Sequence, residues 1–184
     1  MASTITALTS GGGLAMSGDT SGVLELKTDN GTYTATVPQA TGTVMVSGNM
    51  PAFSAYNNAT QSITLNTATK VTFNTEDFDT NNNFASSRFT PTVAGYYLLT
   101  VQIRNDSGVS NTNWVTFYKN GAEYIRATEQ GSNYVPQFQS SLLLYLNGTT
   151  DYVEVYYTSA TNATIGNAQY FVANRFTGVL VRGA

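Results

Sequence analysis

The chain has 184 residues, with a hydrophobic content of 41%, a charged content of only 10%, and neither cysteine nor histidine. Disulfides, thiolate metal sites and Ser-His-Asp chemistry are thereby excluded, and the commonest zinc ligand and general base are missing. The net charge is −3 and the basic residues are scattered along the chain, so nucleic-acid binding, which requires a clustered positive face, is disfavoured.

At 19.7 kDa the chain can hold one substantial core plus an appendage. Thr, Asn, Ser and Gly take the place of the missing charges, so solubility rests on hydroxyls and amides whose short side chains suit strands and turns. Such surfaces suit rigid assemblies and extracellular particles better than cytosolic enzymes. The start of the chain has neither a basic region nor an apolar run, which is unlike a secretory signal. No segment approaches the roughly 20 apolar residues of a membrane span, so membrane insertion is not expected.

Residues 1–50 carry turn signals at Ser10-Gly11-Gly12-Gly13, Gly18-Asp19, Asp29-Asn30-Gly31 and Ser47-Gly48-Asn49. Between them run short alternating segments, Val23 to Lys27, Thr32 to Val37 and Thr43 to Val46, the first two spaced as a hairpin. They hold too few apolar residues for a core of their own. The segment is either a linker or a β element ordered by packing against copies of itself or a host surface, and its regular rhythm favours the second.

From Pro51 the strands lengthen and become aromatic. The pattern predicts strands at Ala52 to Tyr56, Ile63 to Leu65, Lys70 to Asn74, Arg88 to Thr90, Tyr96 to Arg104 and Asn113 to Lys119. It continues with Glu123 to Glu129, Pro136 to Leu146, Tyr152 to Thr158 and Arg175 to Val181. Lys119-Asn120-Gly121 between two apolar runs is the clearest two-residue hairpin signal. No window has a helical period. Ten short strands with frequent turns predict an all-β, ten-stranded jelly-roll sandwich over residues 51–184.

The central strand of this pattern carries Tyr97, Leu99, Val101 and Ile103 on one face, a wholly apolar core lining. Its other face carries Tyr96, Leu98, Thr100, Gln102 and Arg104, which begins apolar and turns polar. A face of that kind is covered either by a loop of its own chain or by another subunit.

Five motifs in order resemble the globular head of complement C1q, which shares the tumour-necrosis-factor jelly roll. They are Pro51-Ala52-Phe53-Ser54-Ala55; Arg88-Phe89-Thr90-Pro91 before Val93-Ala94-Gly95-Tyr96-Tyr97; Phe117-Tyr118-Lys119-Asn120-Gly121; Ser140-Ser141-Leu142-Leu143-Leu144-Tyr145-Leu146; and Phe176-Thr177-Gly178-Val179-Leu180-Val181. The family's Gly-Asp turn is drawn out here to Gly148-Thr149-Thr150-Asp151, and residues 1–50 stand where complement C1q has a collagen stalk. Members of the family are compact trimers about a threefold axis. The resemblance therefore implies a homotrimer with Tyr96, Leu98 and Thr100 facing the axis and Phe176 beside them.

Residues Leu14 to Thr32 resemble the opening of fibre and appendage proteins of tailed bacteriophages. Together the two likenesses imply a structural protein on the exterior of a virion, attached to other virion proteins through residues 1–50. The alternative is a cellular or secreted recognition module of the C1q type; a polysaccharide depolymerase is less favoured.

Glu76, Asp77 and Asp79 with Asn81, Asn82 and Asn83 could ligate calcium, but their spacing is not that of an EF-hand, and a solvated acidic loop is the better reading. No metal or other cofactor is expected. Asp106, Glu123, Glu129, Asp151 and Glu154 lie on separate turns and strands, so no glycosidase pair can be named and catalysis is disfavoured. Asn58, Asn147 and Asn162 head N-glycosylation patterns, which a chain this rich in Asn and Thr produces by chance. Trp114 and Tyr134, beside turns, are candidates for stacking on host-surface glycans, with core packing as the competing role.

Overall fold

The computed structural model describes residues 45–107, 112–130, 137–166 and 173–184, together with the strands β1 (Leu24–Thr28) and β2 (Tyr33–Val37). The chain divides into two units, Met1–Gly42 and Thr43–Ala184. In the first unit β1 and β2 pair antiparallel from Thr28 opposite Tyr33 to Leu24 opposite Val37, as the Asp29-Asn30-Gly31 spacing predicts. Residues 43–50 group with the second unit, where Met45 packs against the core and the Gly48 carbonyl accepts a hydrogen bond from Asn81 Nδ2. The expected strand Thr43 to Val46 is not formed where it is described: Met45 and Val46 lead into a 3-10 turn at Ser47–Asn49.

The second unit begins with β3 (Ala52–Tyr56), β4 (Gln61–Ile63), β5 (Thr69–Lys70), β6 (Thr75–Asp79), β7 (Phe84–Ala85) and β8 (Arg88–Phe89). It continues with β9 (Gly95–Arg104), β10 (Asn113–Lys119), β11 (Ala122–Gln130), β12 (Gln137–Leu146), β13 (Val153–Ser159), β14 (Ala163–Ile165) and β15 (Arg175–Gly183). One sheet has the order β12-β9-β15-β3-β6; the other runs β11-β10-β13-β8-β7, with β5 also paired to β13. Apart from the hairpins β10–β11 and β7–β8, neighbours in space are distant in sequence, and the two five-strand paths face each other as a jelly-roll sandwich. Among the described residues there is no α-helix.

The core is aromatic. The Phe53 ring stacks on Phe84 and Phe89 at 4.8 and 4.5 Å between centroids and meets Phe176 edge-on at 5.0 Å. Rings so arranged add about 0.5–1.5 kcal/mol per pair to the burial of their surface. Room for Phe53 is made by Gly178, which pairs with it across β3 and β15; a Cβ there would lie 2.4 Å from the ring. The hairpin at Lys119-Asn120-Gly121 forms as predicted, with Lys119 opposite Ala122 and both Asn120 and Gly121 at positive φ.

Two further sequence expectations are corrected. The acidic stretch is not a solvated loop but the edge strand β6, paired to β3. Asp77 accepts hydrogen bonds from Ser54 and Arg175, and Asp79 caps the backbone N–H groups of Asn81 and Phe84. Charged side chains on an edge strand also discourage pairing with another sheet. The second correction concerns Phe176, which is buried inside its own chain, with no exposed surface.

Candidate interaction surfaces

Strand β9 alternates as the sequence reading requires. Tyr97, Leu99, Val101 and Ile103 are buried, while Tyr96 and Leu98 remain 44% and 40% exposed. Register extends this apolar end to both neighbours. Tyr96 faces Tyr145 and Leu98 faces Leu143 on β12, and Val179 on β15 lies on the other side of Leu98. The Tyr96 and Tyr145 rings are 5.6 Å apart. Leu143, Tyr145, Val179 and Val181 are as exposed as the β9 pair or more so. No loop among the described residues covers these side chains. Thr100 marks the polar end of the face, its hydroxyl 2.9 Å from that of Ser141.

Phe176 does not join this face because β15 alternates with the opposite phase. Phe176, Gly178 and Leu180 point into the sandwich, whereas Thr177, Val179 and Val181 point out. Thr177 is the residue paired with Thr100, and Phe176 is paired with the inward-facing Val101. A second apolar site lies on β11, the edge of the other sheet, where Tyr124 and Ile125 are 54% and 44% exposed.

Trp114 lies on the outer face of the second sheet, half-buried, with the Arg126 guanidinium over its ring at 4.6 Å. One ring face is therefore already engaged by a cation. Further along that surface the rings of Tyr118 and Tyr156 stack at 3.9 Å. Tyr134 lies outside the described residues. Of the carboxylates considered for catalysis, four are ion-paired on separate elements: Asp106 with Arg104 at 2.7 Å, Asp151 with Lys119 at 3.0 Å, Glu154 with Lys70 and Arg88, and Glu123 with Arg126 at 3.8 Å; the Glu129 side chain lies outside the described residues.

Asn147 has a structural role. Its side-chain oxygen accepts the backbone N–H groups of Thr149, Thr150 and Asp151, closing the drawn-out turn around Gly148. Asn162 Oδ1 likewise accepts the Leu65 N–H.

The C1q domain family matches residues 52–181. The chain belongs to the C1q family. This C1q domain is similar in structure to the globular domain of zebrafish complement 1qA, at 17% identity and a TM-score of 0.53, covering 73% of this chain and 99% of that one. It is similar to murine APRIL at 13% identity and a TM-score of 0.55, covering 72% of this chain and 99% of that one. It is similar also to the PRD1 vertex protein P5, at 15% identity and a TM-score of 0.55, covering 72% of this chain and 97% of that one. At such identities these likenesses concern the fold. None of the curated proteins matches by sequence.

Proposed function

We propose that this protein is a non-enzymatic, homotrimeric virion protein of a tailed bacteriophage, a short fibre or head decoration whose C1q-type knob binds host-surface glycans. The observation that carries the trimer is the outward apolar face formed by Tyr96, Leu98, Leu143, Tyr145, Val179 and Val181. A monomer gains nothing by presenting so many large apolar side chains on one sheet face, and a second apolar patch at Tyr124 and Ile125 lies on a different edge. Two different patches on one chain favour a head-to-tail contact, which closes into a ring when the rotation permits. Three knobs then present each loop threefold, so weak glycan contacts gain avidity.

The virion assignment is supported by the resemblance of Leu14 to Thr32 to phage appendage proteins and by the hydroxyl- and amide-rich surface. The PRD1 vertex protein P5, a phage protein, provides a precedent for this fold on a particle. The second reading, a cellular C1q-like recognition module, is favoured by the family match itself. Light scattering tests the assembly: the expected mass is three times the 19.7 kDa of one chain. Capsid or tail genes beside the coding sequence, and antibody labelling of intact particles, separate the virion reading from the cellular one.

A further inference from the structure

The outer edge of strand β13 is shared end to end by two short strands. β8 pairs at Val153 and Glu154, and β5 pairs at Tyr156 and Tyr157. Each brings a cation to the same carboxylate: Lys70 Nζ lies 2.7 Å and Arg88 Nε 2.8 Å from Glu154 Oε1. The Glu154 side chain is 4% exposed, whereas those of Lys70 and Arg88 are 31% and 43% exposed. Two positive groups therefore stand at the surface over one buried negative group, leaving a local charge of +1 on a chain whose net charge is −3.

Above them opens a cleft of about 520 Å³ lined by Lys70, Asn82, Asn83, Ala85, Ser86, Arg88 and Thr90, with no carboxylate and no aromatic ring in its wall. That volume lies within the roughly 300–1,000 Å³ of small-molecule sites. Arg88 is held by more than Glu154. Its guanidinium lies 3.9 Å over the Tyr152 ring and only Nε is bonded to the carboxylate, so its two terminal nitrogens have no hydrogen-bond partner among the described residues. A guanidinium presents those two nitrogens as a fork that fits a carboxylate bidentately. The side chains of Asn82, Ser86 and Thr90 likewise make no hydrogen bond among the described residues, so the rim offers donors and acceptors suited to sugar hydroxyls. Ser86 and Ser87, both at positive φ, are the central residues of the tight hairpin that joins β7 to β8, with Ala85 opposite Arg88, and this turn sets the Ser86 side chain at the rim.

We infer that the Lys70–Arg88 cleft is a binding site for a carboxylated saccharide, with the sugar carboxylate on the Arg88 fork and Lys70 and the ring hydroxyls on Asn82, Ser86 and Thr90. The single excess charge matches a monoanion better than a phosphate dianion, and the wall has no ring on which a nucleobase could stack. Although burial works against ionisation of Glu154, its bonds to Lys70 and Arg88 hold its pKa below the ordinary range, so the scaffold keeps its charge at neutral pH. The inference deepens the glycan-binding reading and rests on it for the class of ligand, but requires neither the trimer nor Trp114.

The test is calorimetric titration of the full chain with oligogalacturonate, with the neutral galacto-oligosaccharide and inorganic phosphate as comparison arms. Oligogalacturonate is expected to bind at least about tenfold tighter than either, the scale of one charge-assisted pair, and to weaken as salt is raised. Arg88→Lys, which keeps the charge and removes the fork, is expected to cost about tenfold. Ser86→Asp, at an exposed rim position away from Glu154, is expected to cost as much without lowering the melting temperature. Equal binding of the neutral sugar, equal binding of phosphate, or indifference to Ser86→Asp overturns the inference. Glycan binding that is abolished by Trp114→Ala and untouched by Ser86→Asp retains the recognition reading and rejects this site; no binding of either sugar rejects both.

Discussion

Leu98 is the residue at which the proposed assembly is most exposed to disproof. It sits between Leu143 and Val179 on the outer face with 40% of its surface open, and its β9 neighbours Tyr97 and Leu99 are wholly buried. Full burial of a leucine side chain is worth about 1.5–3 kcal/mol, so covering the open part contributes about 0.6–1.2 kcal/mol per chain and about 2–4 kcal/mol per trimer. Removing that alone weakens association by about 30- to 700-fold. In Leu98→Asp three carboxylates are also taken out of water at the interface, which adds several kcal/mol. The variant should therefore elute as a single chain by light scattering while keeping the strand signature in circular dichroism, because an exposed position contributes little to the fold of one chain. A Leu98→Asp protein that remains a trimer at the parent's concentration, or a parent that is itself a monomer, refutes the reasoning.

Phe176→Ala should behave in the opposite way, lowering the unfolding free energy by about 3–5 kcal/mol through a cavity in the aromatic core, as read from denaturant titration. Dissociation of the assembly with no loss of stability of the chain would contradict its placement. Hydrogen bonds to Asn120, Lys119 and Asn147 outweigh burial and hold the Asp151 pKa below its ordinary range, and Glu154 is lowered by Lys70 and Arg88 against its own burial. Protons bind these groups more weakly in the folded than in the unfolded chain. Their stabilisation is thus complete above the ordinary carboxylate range and is lost as pH falls below it, through the lowered folded-state values; a urea midpoint that stays level into acid would disprove this. At the other extreme, burial pushes the Tyr97 hydroxyl, which donates to the Val93 carbonyl at 2.6 Å, up to about 12. Stability is full below the ordinary tyrosine value and declines by about 3 kcal/mol as pH rises towards 12, a slope that Tyr97→Phe should flatten. Gly148 has φ +70 and an added Cβ would lie 2.4 Å from the Ala94 nitrogen, so Gly148→Ala should lower the melting temperature measurably. An unchanged transition would show that the turn can shift away from Ala94.

Local pattern carried much of the architecture. The two-residue alternation of β9 dictates which side chains line the sandwich, because successive Cβ atoms must point to opposite faces. Asn120-Gly121 dictates a tight hairpin, because few other residues accept two successive positive φ angles. The span of β10 is read to the residue, since its apolar run is bounded by turn chemistry at one end. Other elements left no such mark. β6, with the sequence Thr-Glu-Asp-Phe-Asp, looks like a polar loop, and it is backbone pairing with β3, with Asp77 held by Ser54 and Arg175, that makes it a strand.

The absences of cysteine and histidine, the all-β class and the inner face of the central strand were determined by sequence alone, since each depends on residue type or on spacing within one segment. Phase between strands was not. Whether Phe176 or Thr177 shares a face with Thr100 depends on the pairing register of β15 and β9, residues more than seventy positions apart, and a slip of one residue exchanges the faces. The Lys70–Glu154–Arg88 arrangement was hidden for the same reason. Its three charges come from strands that meet only because β5 and β8 share one edge of β13, and that meeting is a property of the folded sheet.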